Sequence, residues 1–416
     1  MLRFIEFLGE EVYPFLQEGY VRMIRRILSG SLFALILVLP LAAQEESGLL
    51  KTYQKSFARG SLSTKVQVLQ DAAKEDLQGM RPLYLQALQF YMNNSSIFEN
   101  DATAIEMVKL STTLIGKSGY KNAASELWKL FGATENTGVR VTVMNALGDL
   151  LDTEDTLVGK IERWVNERNS AFRSGAEVDT QVLAETVRTL GDIGASSSFP
   201  VLFAAAHIGY SERISEIAAD ALGRIKGDLT QRVVAVIRQG FAAEKLAALK
   251  WGMERENFSA EQKGSIATAA LRAGLASSSN TAENSQLRQL RYEAVRHLTE
   301  LSWSEATPAV IEHFNRTVKE VDQGIADEAH LLEAVSCLGA MGTHEAAKRL
   351  ALYLEVLNSY VENGRNINER VALSVIRNLG RIGDRVAFDH VLYTRYLDYS
   401  KAVKNAAQEV LQDLRE

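Results

Sequence analysis

Val187–Gly194 reads VRTLGDIG and Ile376–Gly383 reads IRNLGRIG, and this phrase decides the fold. It returns as MNALGDL at Met144–Leu150, ADALGRIKG at Ala219–Gly227 and VSCLGAMG at Val335–Gly342, with a looser copy, TTLIGKSG, at Thr112–Gly119. Its Leu gives anchors at Leu114, Leu147, Leu190, Leu222, Leu338 and Leu379, and weaker copies fit at Ala72, Leu271 and Leu298. From Ala72 to Leu379 the anchors average about 38 residues apart, a period in the range of helical repeat arrays. Apolar residues at helical spacing precede the anchor, as in Val182, Leu183, Val187 and Leu190, and mark one buried helix face. The glycine after the anchor lets backbones approach closely, and the later glycine suits a helix end at positive φ.

Working outward, a second helix is expected about ten residues past each anchor. Pro82, Pro200 and Pro308 stand there, where a missing N–H costs nothing at a helix start. Aliphatic residues follow at Leu202, Val234, Val310, Leu350 and Val391, and Asp228 and Asp384 are placed to cap. Only five prolines in 416 residues, about a quarter of ordinary usage, agree with a chain that is mostly helix. The expected class is all-α, with helix pairs that bury their apolar faces on their neighbours.

The pattern resembles the HEAT and HEAT-like helical-repeat family from about Val66 to the C-terminus. The resemblance implies a right-handed α-solenoid of about 8–9 stacked helix pairs over residues 66–416, preceded by a lead-in at 44–65. It is weakest at Trp251–Gln286, where the anchor spacing is irregular. Insertions in such arrays map to loops, and Asn166–Thr180, Ala276–Gln286, Thr317–Asp327 and Asn358–Glu369 are the expected ones.

The start of the chain reads differently. Arg22, Arg25 and Arg26 precede the apolar run Ile27–Ala43, which contains Pro40 and ends in Ala42–Ala43. This is the pattern of a secretory signal peptide over 23–43, with cleavage expected near Ala43 or Gln44. Residues 1–22 read as an extension upstream of a true start at Met23. The other reading is an uncleaved signal anchor, and membrane contact is expected only in that case. Both place the body outside the cytoplasm, in the periplasm.

Composition limits the function. With 46 Lys+Arg against 52 Asp+Glu, the net charge of −6 argues against a nucleic-acid clamp. The single Cys337 excludes a disulfide framework and a cysteine-based zinc site, and its place before an anchor Leu reads as core packing. The HEAT-like resemblance carries two enzymatic precedents, di-iron hydroxylases and bilin lyases. The first needs several His-Glu pairs, whereas His344–Glu345 stands alone here. No hydrolase elbow, phosphate loop, zinc-protease or dinucleotide motif is present. The expectation is a non-enzyme without cofactor or metal that binds another protein, an envelope or periplasmic one. A metal-dependent HEAT-like enzyme and a cytoplasmic repeat adaptor remain the alternatives.

Candidate binding residues lie near the C-terminus. Tyr393, Tyr396 and Tyr399 are spaced three apart and are expected to occupy one broad helical sector beside Arg395, Lys401 and Lys404. Tyrosine and arginine are enriched at binding hot spots. Arg377 and Arg381, with Arg370 and Arg385, form an expected basic edge, although solvated helix faces account for it as well. Lys401–Leu414 is expected to cover the rings as a terminal cap. Asp149 and Asp192 share one repeat position with Arg224 and Arg381, which suggests ion pairs between neighbouring helices.

Overall fold

A computed structural model describes residues 48–277 and 280–414. The leader and the upstream extension lie outside the described residues. All regular structure among the described residues is helical, with no strand. The chain divides into two compact units, one ending at Leu151 and the other beginning at Asp152.

The first unit contains α1 (48–59), α2 (Leu62–Glu75), α3 (Arg81–Asn93), the short α4 (Ser95–Phe98), α5 (Ala102–Lys117), α6 (Ala124–Ala133) and α7 (Thr137–Leu150). Helix α5 is its centre and packs on α2, α3 and α7. The lead-in expected at 44–65 thus already contains α1 and the start of α2. Side-chain oxygens of Ser61, Asp101 and Asn136 cap α2, α5 and α7 by accepting first-turn N–H groups that have no partner within the helix.

The second unit opens with α8 (Thr156–Arg173), α9 (Thr180–Ile193), α10 (Phe199–His207) and α11 (Glu212–Arg224). It continues through α12 (Thr230–Gln239), α13 (Ala242–Glu254), α14 (Ala260–Gly274), α15 (Thr281–Leu301), α16 (Thr307–Asp322) and α17 (Glu328–Met341). It ends with α18 (His344–Glu362), α19 (Glu369–Ile382), α20 (Phe388–Thr394) and α21 (Lys401–Asp413). Helices two apart in sequence pack together: α9 on α11, α15 on α17, α17 on α19 and α19 on α21. The intervening helices do likewise, α8 on α10, α16 on α18 and α18 on α20.

The recurring phrase accounts for this packing. All nine anchors, from Ala72 to Leu379, are buried. A Cβ at Gly191 would lie 2.5 Å from the Ala221 Cβ, so the missing side chain is what lets α9 sit against α11. The close approach returns at Gly339 against Asn378 of α19 and at Gly380 against Val410 of α21, but at Gly223 the same test meets nothing within 4 Å, a break in the pattern. That break precedes the stretch where the anchors are irregular. Four residues past the anchor, Gly194, Gly342 and Gly383 are left-handed, and Ser302 takes the same conformation at φ 49° after α15. Pro82, Pro200 and Pro308 are each the second residue of a helix, as their spacing predicts.

The expected insertions are corrected by the structure. Asn166–Arg173 completes α8, Thr317–Asp322 completes α16 and Asn358–Glu362 completes α18, so only a few residues of each segment form a loop. Each of these helices ends on a left-handed glycine, Gly175, Gly324 or Gly364, whose N–H bonds back to the helix. Of Ala276–Gln286, the part from Thr281 belongs to α15.

Candidate partner-binding surface

The end of the second unit is organised around Asn358, which is 1% exposed on α18. Its Nδ2 donates to the carbonyl of His390 on α20 at 3.1 Å. Its Oδ1 accepts from the Thr394 hydroxyl at 3.1 Å and from the Tyr399 hydroxyl at 3.0 Å. Burial, then the charge of Glu369, push the Tyr399 phenol well above its usual range. The backbone N–H of Ser400 donates to Glu369 Oε1 at 2.7 Å, tying the start of α21 to α19. Together these bonds fix how α20 and the turn behind it lie on α18.

This arrangement separates the predicted site residues. Helix α20 stops at Thr394, so Tyr393, Tyr396 and Tyr399 do not occupy one helical sector. Tyr399 is buried in the Asn358 network and is closed to a partner. Tyr396 is 76% exposed and Tyr393 is exposed, with its hydroxyl donating to Glu362 Oε1 at 2.8 Å. That bond to the carboxylate, more than burial, raises the Tyr393 phenol. Arg395 is exposed in the turn after α20, while Arg377 and Arg381 are exposed on α19. No hydrogen bond, ion pair or ring contact joins those three arginines to the tyrosines. Among the expected ladder residues, Arg224 pairs with Asp192 across α9 and α11.

Sequence reasoning missed the apolar neighbours of these tyrosines. Leu352, Val356 and Tyr360 follow one another four apart along α18 and are each about two-fifths exposed. Tyr393 on the neighbouring α20 and Tyr396 in the turn after it are exposed too, so five of the nine exposed large apolar side chains among the described residues belong to this part of the chain. Single exposed apolar residues are ordinary, but a contiguous group marks a surface for binding.

An internal comparison shows that folding does not require these side chains. Helices α8–α11 and α18–α21 are two versions of one module. Thr180 to Glu369, Ser196 to Arg385 and Glu212 to Lys401 are each the first residues of matching elements, 189 positions apart (369 − 180). The same offset relates the polar networks. Asn169 donates to the Val201 carbonyl at 3.1 Å and accepts from the Tyr210 hydroxyl at 3.0 Å, as Asn358 does with His390 and Tyr399. The outer faces differ. Where the second module carries Leu352, Val356, Tyr360, Tyr393 and Tyr396, the first carries Arg163, Glu167, Ala171, Ala204 and His207. The signal was present in the sequence as Asn-Ser and Tyr-Ser pairs, Asn169-Ser170 with Tyr210-Ser211 and Asn358-Ser359 with Tyr399-Ser400, at one separation.

Other expected sites resolve simply. His344 Nδ1 lies 2.8 Å from Asp384 Oδ2, joining the starts of α18 and of the turn before α20. Cys337 is fully buried, and burial pushes its thiol up to about 12. Trp128 stacks on Phe131 within α6. Among the described residues no three His, Cys, Asp or Glu side chains gather as a metal-ligand set, and no helix is long and apolar enough to cross a membrane. The chain matches no known protein-family model, and no similar curated protein was found.

Proposed function

We propose that this protein is an exported, HEAT-like α-solenoid scaffold of about 8–9 helix pairs that binds another protein through the outer face of α18 and α20. The observation that carries the binding role is the contrast between the two modules. One scaffold position is Arg163 or Glu167 in the first copy and Leu352 or Val356 in the second, so the apolar residues answer a demand other than folding. Tyr360, Tyr393 and Tyr396 add large amphipathic side chains of the kind that dominate binding energy. Arg395, beside Tyr396, is the charged residue best placed at its rim; Arg377 and Arg381 lie on a different helix and are peripheral to this reading. Export rests on the basic and apolar pattern of residues 23–43, which places the partner in the periplasm or envelope. The role is recognition by surface area rather than catalysis.

Photo-crosslinking tests this directly. A benzoylphenylalanine at Tyr396 or Tyr360, in protein made in its own cells, is expected to capture a defined polypeptide, and the N-terminus is expected near Gln44. The control is the same probe at His207, the equivalent position of the first module. Equal capture at His207 and Tyr396 would remove the surface from consideration. An intact leader on a cytosolic protein would overturn export.

A further inference from the structure

Away from α18 and α20, helices α12 and α14 and the turn before α16 enclose a cavity of about 220 Å³. Helix α14 falls within Trp251–Gln286, the stretch whose anchors depart most from the repeat period. Departures from a local pattern are where function is expected. The two helices pack side by side, and at their starts Gln262 Nε2 donates to Asp228 Oδ1 at 3.0 Å. Those two residues are 34 positions apart (262 − 228), and the same offset pairs the residues lining the cavity: Gln231 with Ser265, Val234 with Thr268 and Arg238 with Arg272. The pairs therefore lie level with one another along the two helices.

This register puts two guanidiniums at one end of the cavity. Arg238 and Arg272 each lie in the last turn of their helix, where a cation is favourable beside the terminal carbonyls. That placement does not explain why both line one cavity with no hydrogen-bond or ion-pair partner for either side chain among the described residues. The other end is fixed by Gly264, where a Cβ would lie 2.4 Å from Trp303 Cδ2, so the indole lies on α14 where that side chain is missing. Glu305, two residues further on, is exposed and is the one acidic residue of the lining. From Ser265 to Arg272 is seven residues, or about 10 Å along a helix. A negative charge at one end thus faces two positive charges at the other.

We infer that this cavity binds a short peptide by its two free ends, the terminal ammonium at Glu305 and the terminal carboxylate between Arg238 and Arg272. Three extended residues span about 10 Å, so a tripeptide bridges the two ends. The guanidinium fork matches a carboxylate with paired hydrogen bonds. Between the ends, the Gln231 amide and the Ser265 hydroxyl face the peptide groups. The Thr268 hydroxyl donates to the Gly264 carbonyl at 2.7 Å and keeps its lone pairs to accept a peptide N–H. A ligand with anionic groups alone would set charge against Glu305, which selects for a zwitterion. The site is separate from the partner-binding face and does not depend on it.

Isothermal titration calorimetry of the full processed chain with trialanine, N-acetyl-trialanine and trialanine amide tests this. Wild type is expected to bind trialanine, and blocking either end is expected to weaken binding at least about tenfold, equivalent to roughly 1.4 kcal/mol. Arg272→Gln is expected to weaken trialanine by a similar factor while leaving the amide within about twofold, because the amide has no carboxylate to lose. Glu305→Gln is expected to do the same for the free peptide against its acetylated form. Both side chains are exposed, so the far-ultraviolet circular dichroism spectrum should not change. Absence of trialanine binding up to about 10 mM overturns the inference. So does an Arg272→Gln variant that weakens the amide as much as the free peptide, since the carboxylate would then not lie at the arginines.

Discussion

Acidification is expected to weaken the second unit through His313, a fully buried residue of α16 that no ion pair serves. Burial comes first and neighbouring cations second in lowering its pKa from 6.5 to about 3. The groups around it come from three helices. Arg291 and Tyr292 face it from α15, and Arg316 and Glu320 share its own helix. His330, with Asp327 beside it, belongs to α17 and stacks on Tyr292. The His313 Nδ1 has no hydrogen-bond partner, and its Nε2 lies 3.5 Å from the Thr317 hydroxyl, so nothing there rewards a second proton. The sign follows from linkage. The unfolded chain takes up a proton near pH 6.5 and the folded one does not, so stability is complete above that pH and falls as pH drops below it. Between about pH 8 and pH 5 the loss is close to 1.36 × 1.5, or about 2 kcal/mol. That value is set almost wholly by the unfolded pKa, provided the folded one lies well below 5. Glu320 does not confound the window. Burial raises its pKa, but Arg291 and Arg316 outweigh that and hold it below the usual carboxylate value, so its own loss begins at lower pH. Urea denaturation followed by circular dichroism at the two pH values, for wild type and His313→Gln, provides the assay. The substitution is expected to cost stability at both pH values yet to shrink the difference between them by about 2 kcal/mol. A difference that is the same in the variant would refute the assignment.

Three further outcomes follow from particular contacts. Asn358→Ala removes three hydrogen bonds and leaves the buried Tyr399 hydroxyl without its partner, while the Thr394 hydroxyl keeps its bond to the His390 carbonyl, and is expected to cost about 2–4 kcal/mol in urea denaturation. Asn169→Ala should cost less, since Ala205 stands where Thr394 does and only two bonds are lost. Gly191→Ala drives a Cβ into Ala221 and is expected to destabilise by about 1–3 kcal/mol, whereas Gly223→Ala meets open space and should stabilise by up to about 1 kcal/mol. Equal effects at the two glycines would refute the packing of α9 on α11. Ser302→Gly relieves a left-handed backbone after α15 and is expected to raise the thermal midpoint by a few degrees, a gain of about 1 kcal/mol. No gain would mean that the side chain, not the backbone, sets that turn.

The helical class and much of its punctuation were legible because the residues involved have one physical use. Leu190 and Leu379 must be buried at helical spacing, and Gly194 and Gly383 must end those helices in a conformation few residues adopt. Pro200 and Pro308 can open a helix but not continue one. Helix ends were harder to place. The polar stretch Asn166–Arg173 looks like a loop, yet it is the last two turns of α8, because its polarity divides between a solvent face and one buried amide at Asn169. At the other end, three tyrosines spaced three apart look like one helix face. The chain instead turns after Thr394, since the Asn358 network takes Tyr399 inward and Ser400 is tied to Glu369. Both misreadings concern a buried asparagine, whose partners lie 32 and 41 residues away. Local periodicity does not carry information over that distance.

The duplicated module separates two kinds of conserved chemistry within a single chain. Asn169 and Asn358, with Tyr210 and Tyr399, occupy matching positions and make matching bonds, so a demand of the fold holds them in both copies. A buried amide that lost its hydroxyl partner would leave an unsatisfied group at a cost comparable to a large share of a domain's net stability. The outer residues carry no such constraint: Arg163 and Leu352 are both exposed at the same place on the same helix. Folding is indifferent to that choice, while solubility favours the arginine. An apolar ridge therefore costs the isolated chain something and gains nothing until a second surface covers it. That asymmetry, more than the number of exposed apolar residues, is the physical argument for placing the binding face on α18 and α20 and for treating α8 as scaffold.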